Sequence, residues 1–190
     1  METIAGCDEV GRGCLAGPVI ACAVVIDKKI LANIRGITDS KKLSPLQREF
    51  LYTKITQNAD AISLGLLSSS EIDRINILEA SKRAMEIAIL HLSPEPIYVL
   101  IDGKDRLNIA IPHEAIVDGD FLIPVISAAS IVAKVYRDRL MMELDVVYPQ
   151  YNFKAHKGYC TKEHEELIKK YGITDIHRKT FRGVKEYSTL

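Results

Sequence analysis

The sequence predicts an α/β fold with a central mixed β-sheet flanked by helices. Two observations indicate this class: short runs of apolar, β-branched residues, and longer segments in which apolar residues recur at helical spacing. The chain has 190 residues, of which 47% are hydrophobic, enough for one compact core. The sequence contains no repeats, low-complexity tracts or linkers. We therefore predict one domain over residues 1–190 with a helical part at about residues 140–190.

The predicted strands are short and rich in residues that favour extended backbone. We place them at residues 3–8, 19–26, 61–67, 97–101 and 115–117. The second is a near-continuous apolar run, which is typical of a buried strand. Because a Gly-Pro turn introduces it, we expect it to pair with the first strand as a hairpin.

The predicted helices begin at recognisable caps. Ser44 followed by Pro45 predicts a helix to about residue 57, and Ser70 with Asp73 three residues on predicts the start of the next. The apolar face of its continuation, which Pro94 and Pro96 end, comprises Ile77, Leu78, Met85, Ile89 and Leu92. Helices at 124–147 and from Thr161 to Gly172 follow, and a short basic segment, residues 177–185, comes after them.

Composition narrows the class of protein. No run approaches the roughly 20 apolar residues that cross a bilayer, and the N-terminus does not resemble a signal peptide. The four cysteines, Cys7, Cys14, Cys22 and Cys160, lack C-x-x-C spacing, which favours structural thiols in a reducing cytoplasm. Basic and acidic residues balance at 25 each, but residues 134–190 carry a net +4 and the preceding part −4. This asymmetry suits binding of a polyanion to the C-terminal third, although an ordinary solvated surface also explains it.

Carboxylates follow three of the predicted strands. Asp8 and Glu9 end the first, Asp102 ends the fourth, and Asp118 and Asp120 follow the fifth. Because sheets of this kind collect ligands at strand ends, these acids can converge although they are distant in sequence. Oxygen donors alone suit hard cations such as Mg²⁺ or Mn²⁺, and two such ions about 4 Å apart can promote phosphodiester hydrolysis. Each acid taken singly is also typical of a turn or a helix cap.

Glycines and an arginine follow the first acid pair. Gly11 and Gly13 permit a tight turn and leave backbone amides open to a phosphate or sugar, and Arg12 supplies a donor fork. Residues 11–16 also fit the dinucleotide fingerprint G-x-G-x-x-A. That alternative fails because a helix must follow the fingerprint, whereas Gly17-Pro18 leads into a strand.

Seven motifs occur in the order in which one enzyme family carries them. They are A-G-C-D-E-V-G-R-G at 5–13, D-S-K-K-L at 39–43, I-D-G at 101–103, G-D at 119–120, S-A-A-S-I-V-A-K-V at 127–135, R-D at 137–138 and H-K-G-Y at 156–159. On these motifs the chain resembles the bacterial ribonucleases HII over nearly its full length. The resemblance implies an RNase H-like fold, with a central mixed sheet flanked by helices and a helical C-terminal part.

The resemblance also implies the chemistry. The family hydrolyses the RNA strand of RNA–DNA hybrids and incises duplex DNA 5′ to an embedded ribonucleotide, leaving a 3′-hydroxyl and a 5′-phosphate. Carried over to this sequence, Asp8, Glu9, Asp102 and Asp120 are catalytic acids that bind two divalent ions, Mn²⁺ or Mg²⁺. We expect Asp8 to bridge the ions, with Glu9 and Asp102 on one ion and Asp120 on the other. Neighbouring strand residues point to opposite faces, so we expect a local bend at Glu9.

Substrate contacts carry over in the same way. The family reads the RNA–DNA junction with a Gly-Arg-Gly loop and a tyrosine, which here are Gly11, Arg12, Gly13 and Tyr159. A tyrosine ring can stack on a deoxyribose that lacks the 2′-hydroxyl. Further candidate phosphate contacts are Ser40, Lys41, Lys42, Ser127, Ser130 and Lys134.

The expected partners follow from these contacts. They are RNA–DNA hybrid and ribonucleotide-containing duplex DNA, to whose binding the part at about 140–190 contributes. We expect a monomer without membrane contact. Recruitment by a replication clamp is not readable from the sequence.

Three residues depart from the family pattern. Cys14 and Cys160 stand where proline is common, so we expect more mobile substrate loops. Asp118 stands where lysine is usual, so we expect a changed metal preference. Among the histidines, His164 is interpreted as a surface residue, whereas His156 and His177 stay open as proton donors.

Two other functions stay open. A nucleic-acid-binding module without turnover would lack one of the four acids, and none is missing. A ribonuclease HIII or a junction resolvase would share the fold. Ribonuclease HIII normally has an additional N-terminal domain, and because this chain begins at the first acid-bearing strand we expect ribonuclease HII.

Overall fold

The computed structural model describes residues 3–188 and contains a five-stranded mixed sheet. The strands are β1 (Ile4–Val10), β2 (Val19–Val25), β3 (Ala61–Leu67), β4 (Tyr98–Asp102) and β5 (His113–Ile116). Their spatial order is β3-β2-β1-β4-β5. β2 is antiparallel to both β1 and β3, whereas β4 pairs parallel with both β1 and β5. The predicted α/β class, the mixed sheet and the β1–β2 hairpin are confirmed.

Helices cover both faces of this sheet. They are α1 (Lys28–Asn33), α2 (Pro45–Asn58), α3 (Ser69–Ile75), α4 (Ile77–Leu90), α5 (Gly119–Leu122), α6 (Pro124–Val147), α7 (Phe153–His156) and α8 (Lys162–Tyr171). Short 3-10 turns occupy Ser40–Lys42, Pro149–Tyr151 and Lys185–Tyr187. None of the helices within residues 3–188 combines the length and apolar character that crossing a membrane requires.

Most predicted helix starts are confirmed, and one is wrong. Ser44 caps α2 with a capping box, and Thr161 caps α8. Helix α3, however, begins after Ser68, because the Glu71 carboxylate reaches back to the Ser68 backbone N–H at 2.8 Å. Asp73, the predicted partner of Ser70, instead accepts hydrogen bonds from the backbone of residues 179 and 180. The local Ser68–Glu71 capping box therefore begins the helix, and Asp73 is engaged by residues distant in the chain.

The sheet lies between two apolar layers. On one face α4 packs over β1, β2 and β3, with Cys7, Met85 and Ile89 in the buried cluster. Leu78, predicted to share this face, is 40% exposed. On the other face α6 and α2 cover the sheet. Helix α6 approaches β1 so closely that a Cβ at Gly6 would lie 2.3 Å from the Val125 carbonyl oxygen. The small residue at position 6 thus sets how α6 crosses the strand that carries Asp8.

A third apolar cluster joins the segment between β1 and β2 to the C-terminal part of the chain. Leu15 packs there with Met141, Tyr151, Phe153 and Ile168. Isolated antiparallel bridges link Cys14 to Tyr159 and Ala16 to His177. Residues 11–17, which we call the glycine loop, therefore lie against elements that come more than 120 residues later.

Candidate active site

Three carboxylates that are distant in sequence converge near the C-terminal ends of β1 and β4. Asp8, Asp102 and Asp120 each place an oxygen within 4.8 Å of the others. Asp8 and Asp102 share a sheet face because their strand neighbours Cys7 and Ile101 pack on the opposite one, and side chains alternate along a strand. Asp120 joins them from α5, where its backbone N–H donates to Asp102 Oδ1 at 3.2 Å. We call these three residues the acid group.

The acid group is electrostatically unfavourable without a counter-ion. Burial raises the pKa of Asp8 well above its usual range, and the neighbouring carboxylates of Glu9 and Asp102 raise it further. Burial likewise raises the pKa of Asp102, although the backbone N–H of Asp120 acts in the opposite direction. Like charges in a poorly solvated site favour protonation or a bound cation. An all-oxygen set of this kind suits Mg²⁺ or Mn²⁺.

Glu9 lies beside the acid group and outside it. The predicted bend at Glu9 is wrong, because β1 stays in regular register with β2 through Val10. The Glu9 carboxylate accepts a hydrogen bond from the Arg12 guanidinium at 3.2 Å. Burial raises the pKa of Glu9, and the charge of Arg12 counteracts part of that effect. In this structure Glu9 therefore connects the acids to the glycine loop.

Lysine and serine side chains surround the acids at different depths. Lys41 Nζ lies 3.2 Å from Asp120 Oδ2 and is largely exposed. Burial lowers the pKa of Lys41, but the carboxylates of Asp120, Asp39 and Asp8 together raise it above its usual value. The candidate serines are buried, and they bond inside the protein. Ser127 Oγ donates to the Asp120 carbonyl at 2.7 Å, and the hydroxyls of Ser40 and Ser130 are 2.9 Å apart. These serines thus lie behind the acids and support them.

The glycine loop is held by two buried arginines that the sequence interpretation assigned no role. Arg178 donates to the carbonyls of Gly11, Arg12 and Gly17 at 2.7 to 3.0 Å. Arg137 donates to the carbonyls of Ala16, Pro18 and Lys157. Both side chains are fully buried, and burial lowers the pKa of Arg178 to about 10, so it stays charged at neutral pH.

The backbone of the loop fits these arginines closely. Gly11 has φ +94°, and a Cβ there would lie 2.4 Å from Arg137 Nε. A side chain at this position would be strained by both its φ angle and the missing space. Arg12, by contrast, leaves 45% of its side chain exposed. The loop therefore combines a closely held backbone, buried except at Arg12 and Gly13, with one accessible guanidinium.

Tyr159 lies next to the glycine loop, as the resemblance implied. Its backbone bridges to Cys14, and the carbonyl of the preceding Gly158 accepts from Leu15 and Ala16. Lys134 Nζ lies 5.2 Å from the centre of the Tyr159 ring and donates to Asp138 at 2.8 Å. Lys42 Nζ lies 3.8 Å from the Phe121 ring. The candidate phosphate-binding lysines are thus spread around the acids and the tyrosine.

The interpretation of His164 as a surface residue is wrong. His164 and His177 have 0% and 1% exposure, and His156 has 8%. Their rings pack together with Tyr151 and Phe153. A lone histidine in a charged helix gives no local signal of burial, because its partners lie 8 and 13 residues away or on another element. The burial of Arg178 was not predicted for a similar reason, because it lies in a basic segment that is typical of an exposed surface.

The residues that depart from the family pattern have distinct surroundings. Cys7, Cys14 and Cys22 are buried, as expected of structural thiols, whereas Cys160 is exposed. The Cys14 N–H lies 3.4 Å from the Gly11 carbonyl, a contact that proline cannot make. Asp118 is exposed, adopts φ +55° before α5 and lies outside the acid group. Loop mobility and metal preference stay predictions.

Comparison with known proteins places these features in one family. The sequence model of the family Ribonuclease HII matches residues 5–184. The Ribonuclease HII of Thermotoga maritima is 50% identical over 186 residues, which is 98% of this chain and 76% of that protein. The Ribonuclease HII of Alkaliphilus metalliredigens is also 50% identical, over 95% of this chain and 90% of that protein.

Solved structures share the fold. The ribonuclease H2 of Pyrococcus horikoshii superimposes with a TM-score of 0.82 at 30% identity, covering 98% of this chain and 97% of that one. The RNase HII of Archaeoglobus fulgidus, solved in a complex with PCNA, also gives 0.82, at 26% identity and 95% coverage of both chains. The predicted RNase H-like fold is confirmed.

Proposed function

The chain belongs to the ribonuclease HII family and is a ribonuclease H, and we propose that it also incises duplex DNA 5′ to a single embedded ribonucleotide. In both reactions the products would carry a 3′-hydroxyl and a 5′-phosphate. The observation that carries the proposal is the contact between two sites. The acid group lies beside Glu9, and Glu9 bonds Arg12 of the glycine loop at 3.2 Å. A group that selects a sugar and a group that cleaves the adjacent phosphate need such proximity.

We propose Asp8, Glu9, Asp102 and Asp120 as the residues that bind the divalent ions on which this family depends. Three of them already converge, and the raised pKa of Asp8 reflects burial among like charges. Mg²⁺ or Mn²⁺ bound there, as a pair during catalysis, would polarise a water and stabilise the leaving oxygen. Glu9 joins this set if Arg12 transfers its hydrogen bonds from the Glu9 carboxylate to the substrate.

The remaining residues would bind and orient the nucleic acid. Exposed Arg12 and Lys41 can move from their carboxylate partners to backbone phosphates, since both are long and flexible. The Tyr159 ring would stack on the sugar next to the ribonucleotide, and Gly11 and Gly13 would allow the backbone to approach the 2′-hydroxyl. We assign residues 1–190 to one catalytic domain in which the part from about 140 to 190 supplies Tyr159.

The test is an incision assay on two labelled substrates. One is a DNA duplex with a single ribonucleotide and the other is a continuous RNA–DNA hybrid, each with Mg²⁺ or Mn²⁺. We expect the wild-type protein to cut both and Asp8→Asn to cut neither. The matched control is Asp60→Asn, which changes an exposed carboxylate just before β3.

Each outcome of this assay bears on the proposal. Cleavage of the hybrid alone in both metals would contradict recognition of a single ribonucleotide and leave ribonuclease H activity standing. Equal incision by Asp8→Asn and the wild type would contradict the assignment of the acids. Loss of activity in Asp60→Asn would show that the assay reports damage to the fold.

A further inference from the structure

We propose that His164 and His177 form a hydrogen-bonded chain of fixed direction that positions Tyr159 for substrate recognition. The proposal deepens the function proposed above and rests on the role of Tyr159 given there. The histidine chain, as we call it, runs from Thr174 through His177 and His164 to the backbone carbonyl of Tyr159. Neither imidazole contacts the acids, so they are positioning residues.

The two ends of the histidine chain determine where its protons lie. The Thr174 backbone N–H, which can only donate, lies 3.0 Å from His177 Nδ1. His177 Nδ1 is therefore an acceptor, and His177 carries its proton on Nε2. At the other end, the Tyr159 carbonyl can only accept, and it lies 3.0 Å from His164 Nδ1. His164 must therefore carry its proton on Nδ1.

These assignments make the central contact consistent. The two Nε2 atoms of His164 and His177 are 3.2 Å apart. His177 Nε2–H donates, and His164 Nε2 accepts. The Thr174 hydroxyl, 2.9 Å from His177 Nδ1, is a second donor to that nitrogen. Every ring nitrogen thus has a partner of the right kind while both imidazoles are neutral. A second proton would place two N–H groups against each other, so the chain has only one satisfied arrangement.

A third histidine fixes the segment just before Tyr159 in the same manner. His156 Nδ1 lies 3.2 Å from the Gly158 N–H, and its Nε2 lies 2.7 Å from the Tyr151 carbonyl. Its ring stacks on His164, with 4.3 Å between the ring centres. The imidazole of His164 is therefore held by its stacking on His156 and by its hydrogen bond with His177, in addition to its bond to Tyr159.

Tyr159 depends on this support because it lies in a loop between α7 and α8. On the substrate side its backbone bridges Cys14, and on the inner side it bonds His164. Loss of the inner bond would leave a partly buried carbonyl without its donor and free the peptide to rotate. The ring would then be misplaced relative to Arg12, which lies in the same loop as Cys14.

Two variants of His164 separate positioning from packing. His164→Asn places an amide N–H where Nδ1–H was and can still bond the Tyr159 carbonyl, whereas it loses the contact with His177. His164→Gln reaches toward His177 and loses the bond to Tyr159. Both variants remove similar buried area, so we expect similar losses of thermal stability. The measured quantity is the ratio of kcat/KM on the single-ribonucleotide duplex to that on the continuous hybrid.

We expect His164→Asn to keep the wild-type ratio and His164→Gln to lower it about tenfold, the size of one lost hydrogen bond to the recognition segment. Nitrogen NMR of the imidazoles supplies a second readout. His164 should be protonated on Nδ1, and His177 and His156 on Nε2. Equal ratios in both variants, or a wild-type His164 protonated on Nε2, would overturn the proposal. Failure of the wild type to cut the single-ribonucleotide duplex would instead contradict the proposed function.

Discussion

The acid group and the glycine loop lie side by side, and they satisfy their polar groups in opposite ways. The acids are buried like charges, and burial and mutual repulsion raise the pKa of Asp8. Buried donors meet the carbonyls of the glycine loop. Arg178 and Arg137 together donate five hydrogen bonds, at 2.7 to 3.1 Å, to the carbonyls of Gly11, Arg12, Ala16 and Gly17. The first region is incomplete without a cation, whereas the second is complete without the substrate.

The difference indicates how cleavage and selection can occur on one surface. Fixed donors and carbonyls pre-organise the loop, so binding need not order it. Unbalanced carboxylates, in contrast, favour binding of a cation at the place where we propose that the phosphate reacts. We expect perturbations of the two regions to separate cleavage from selectivity.

The largest effect should follow from Asp8→Asn. Cleavage of either substrate should fall by more than about 10³-fold, because the ions lose a central ligand. The same change should stabilise the metal-free protein by about 1 kcal/mol, since a buried negative charge is removed from its neighbours. Thermal unfolding in EDTA measures this gain. A lower stability of Asp8→Asn in EDTA would instead show that repulsion between the acids does not destabilise the fold.

Arg178→Lys should have the next largest effect. Lysine keeps the charge, but its three donors share one nitrogen and cannot span the carbonyls that Arg178 reaches from three nitrogens. We therefore expect a loss of about 3 kcal/mol in the free energy of unfolding. Selectivity for the single ribonucleotide should fall more than cleavage of the hybrid. Arg182→Lys, at an exposed position four residues later, is the control for denaturant unfolding and for both assays. A uniform loss on both substrates would contradict a role confined to the loop.

Titration of the histidine chain should change the free energy of unfolding with pH in the direction opposite to that of the acids. Burial lowers the pKa of His164 to about 4 and that of His177 to about 3. A lowered pKa means that the unfolded chain binds more protons, so this stability is present above about pH 6.5 and is lost as the pH falls toward those values. The raised pKa of Asp8 acts in reverse, giving stability at low pH that is lost as the pH rises.

His177→Asn isolates the histidine contribution. It removes one titrating group, so its unfolding free energy should fall less steeply than that of the wild type between pH 6.5 and 4, by about 1.4 kcal/mol per pH unit. Parallel curves would contradict the prediction. The ionisable groups that face these imidazoles, besides one another, are Asp145, Lys157, Glu163, Glu165 and Asp175.

The smallest effect should come from Asp118→Lys. Asp118 is exposed and lies outside the acid group, so water and salt screen its charge. We expect the optimal Mg²⁺ or Mn²⁺ concentration to rise by about threefold, because a positive charge near the acids weakens metal binding. A metal titration of activity measures the change, and an unchanged profile would dismiss the hypothesis.

Local sequence pattern was sufficient to predict most helices and strands and the convergence of the acids. The bounds of β3 and α6 follow from hydrophobic runs and caps. The predicted positions of Asp8, Asp102 and Asp120 at or after strand ends were enough to predict that these acids converge. Each of these features depends on residues within a few positions of one another or on the general geometry of sheets.

Local sequence pattern did not predict the features that depend on contacts with residues distant in the chain. Arg178 is buried because Gly11, Arg12 and Gly17 offer carbonyls at the far end of the chain, and His164 is buried because His156 and His177 cover it. The polarity of arginine and histidine, taken alone, predicts exposed side chains at Arg178 and His164. The regular pairing of β1 through Val10, which leaves Glu9 outside the acid group, likewise depends on β2.

The reach of Arg178 back to the glycine loop has a consequence during synthesis. All four proposed acids have left the ribosome once residue 120 has been translated and has cleared the exit tunnel. The donors that fix residues 11–17, however, come from Arg137 and Arg178. A nascent or prematurely terminated chain can therefore contain every proposed acid while the glycine loop lacks the donors that fix it. We expect the proposed selectivity to arise only near the end of translation.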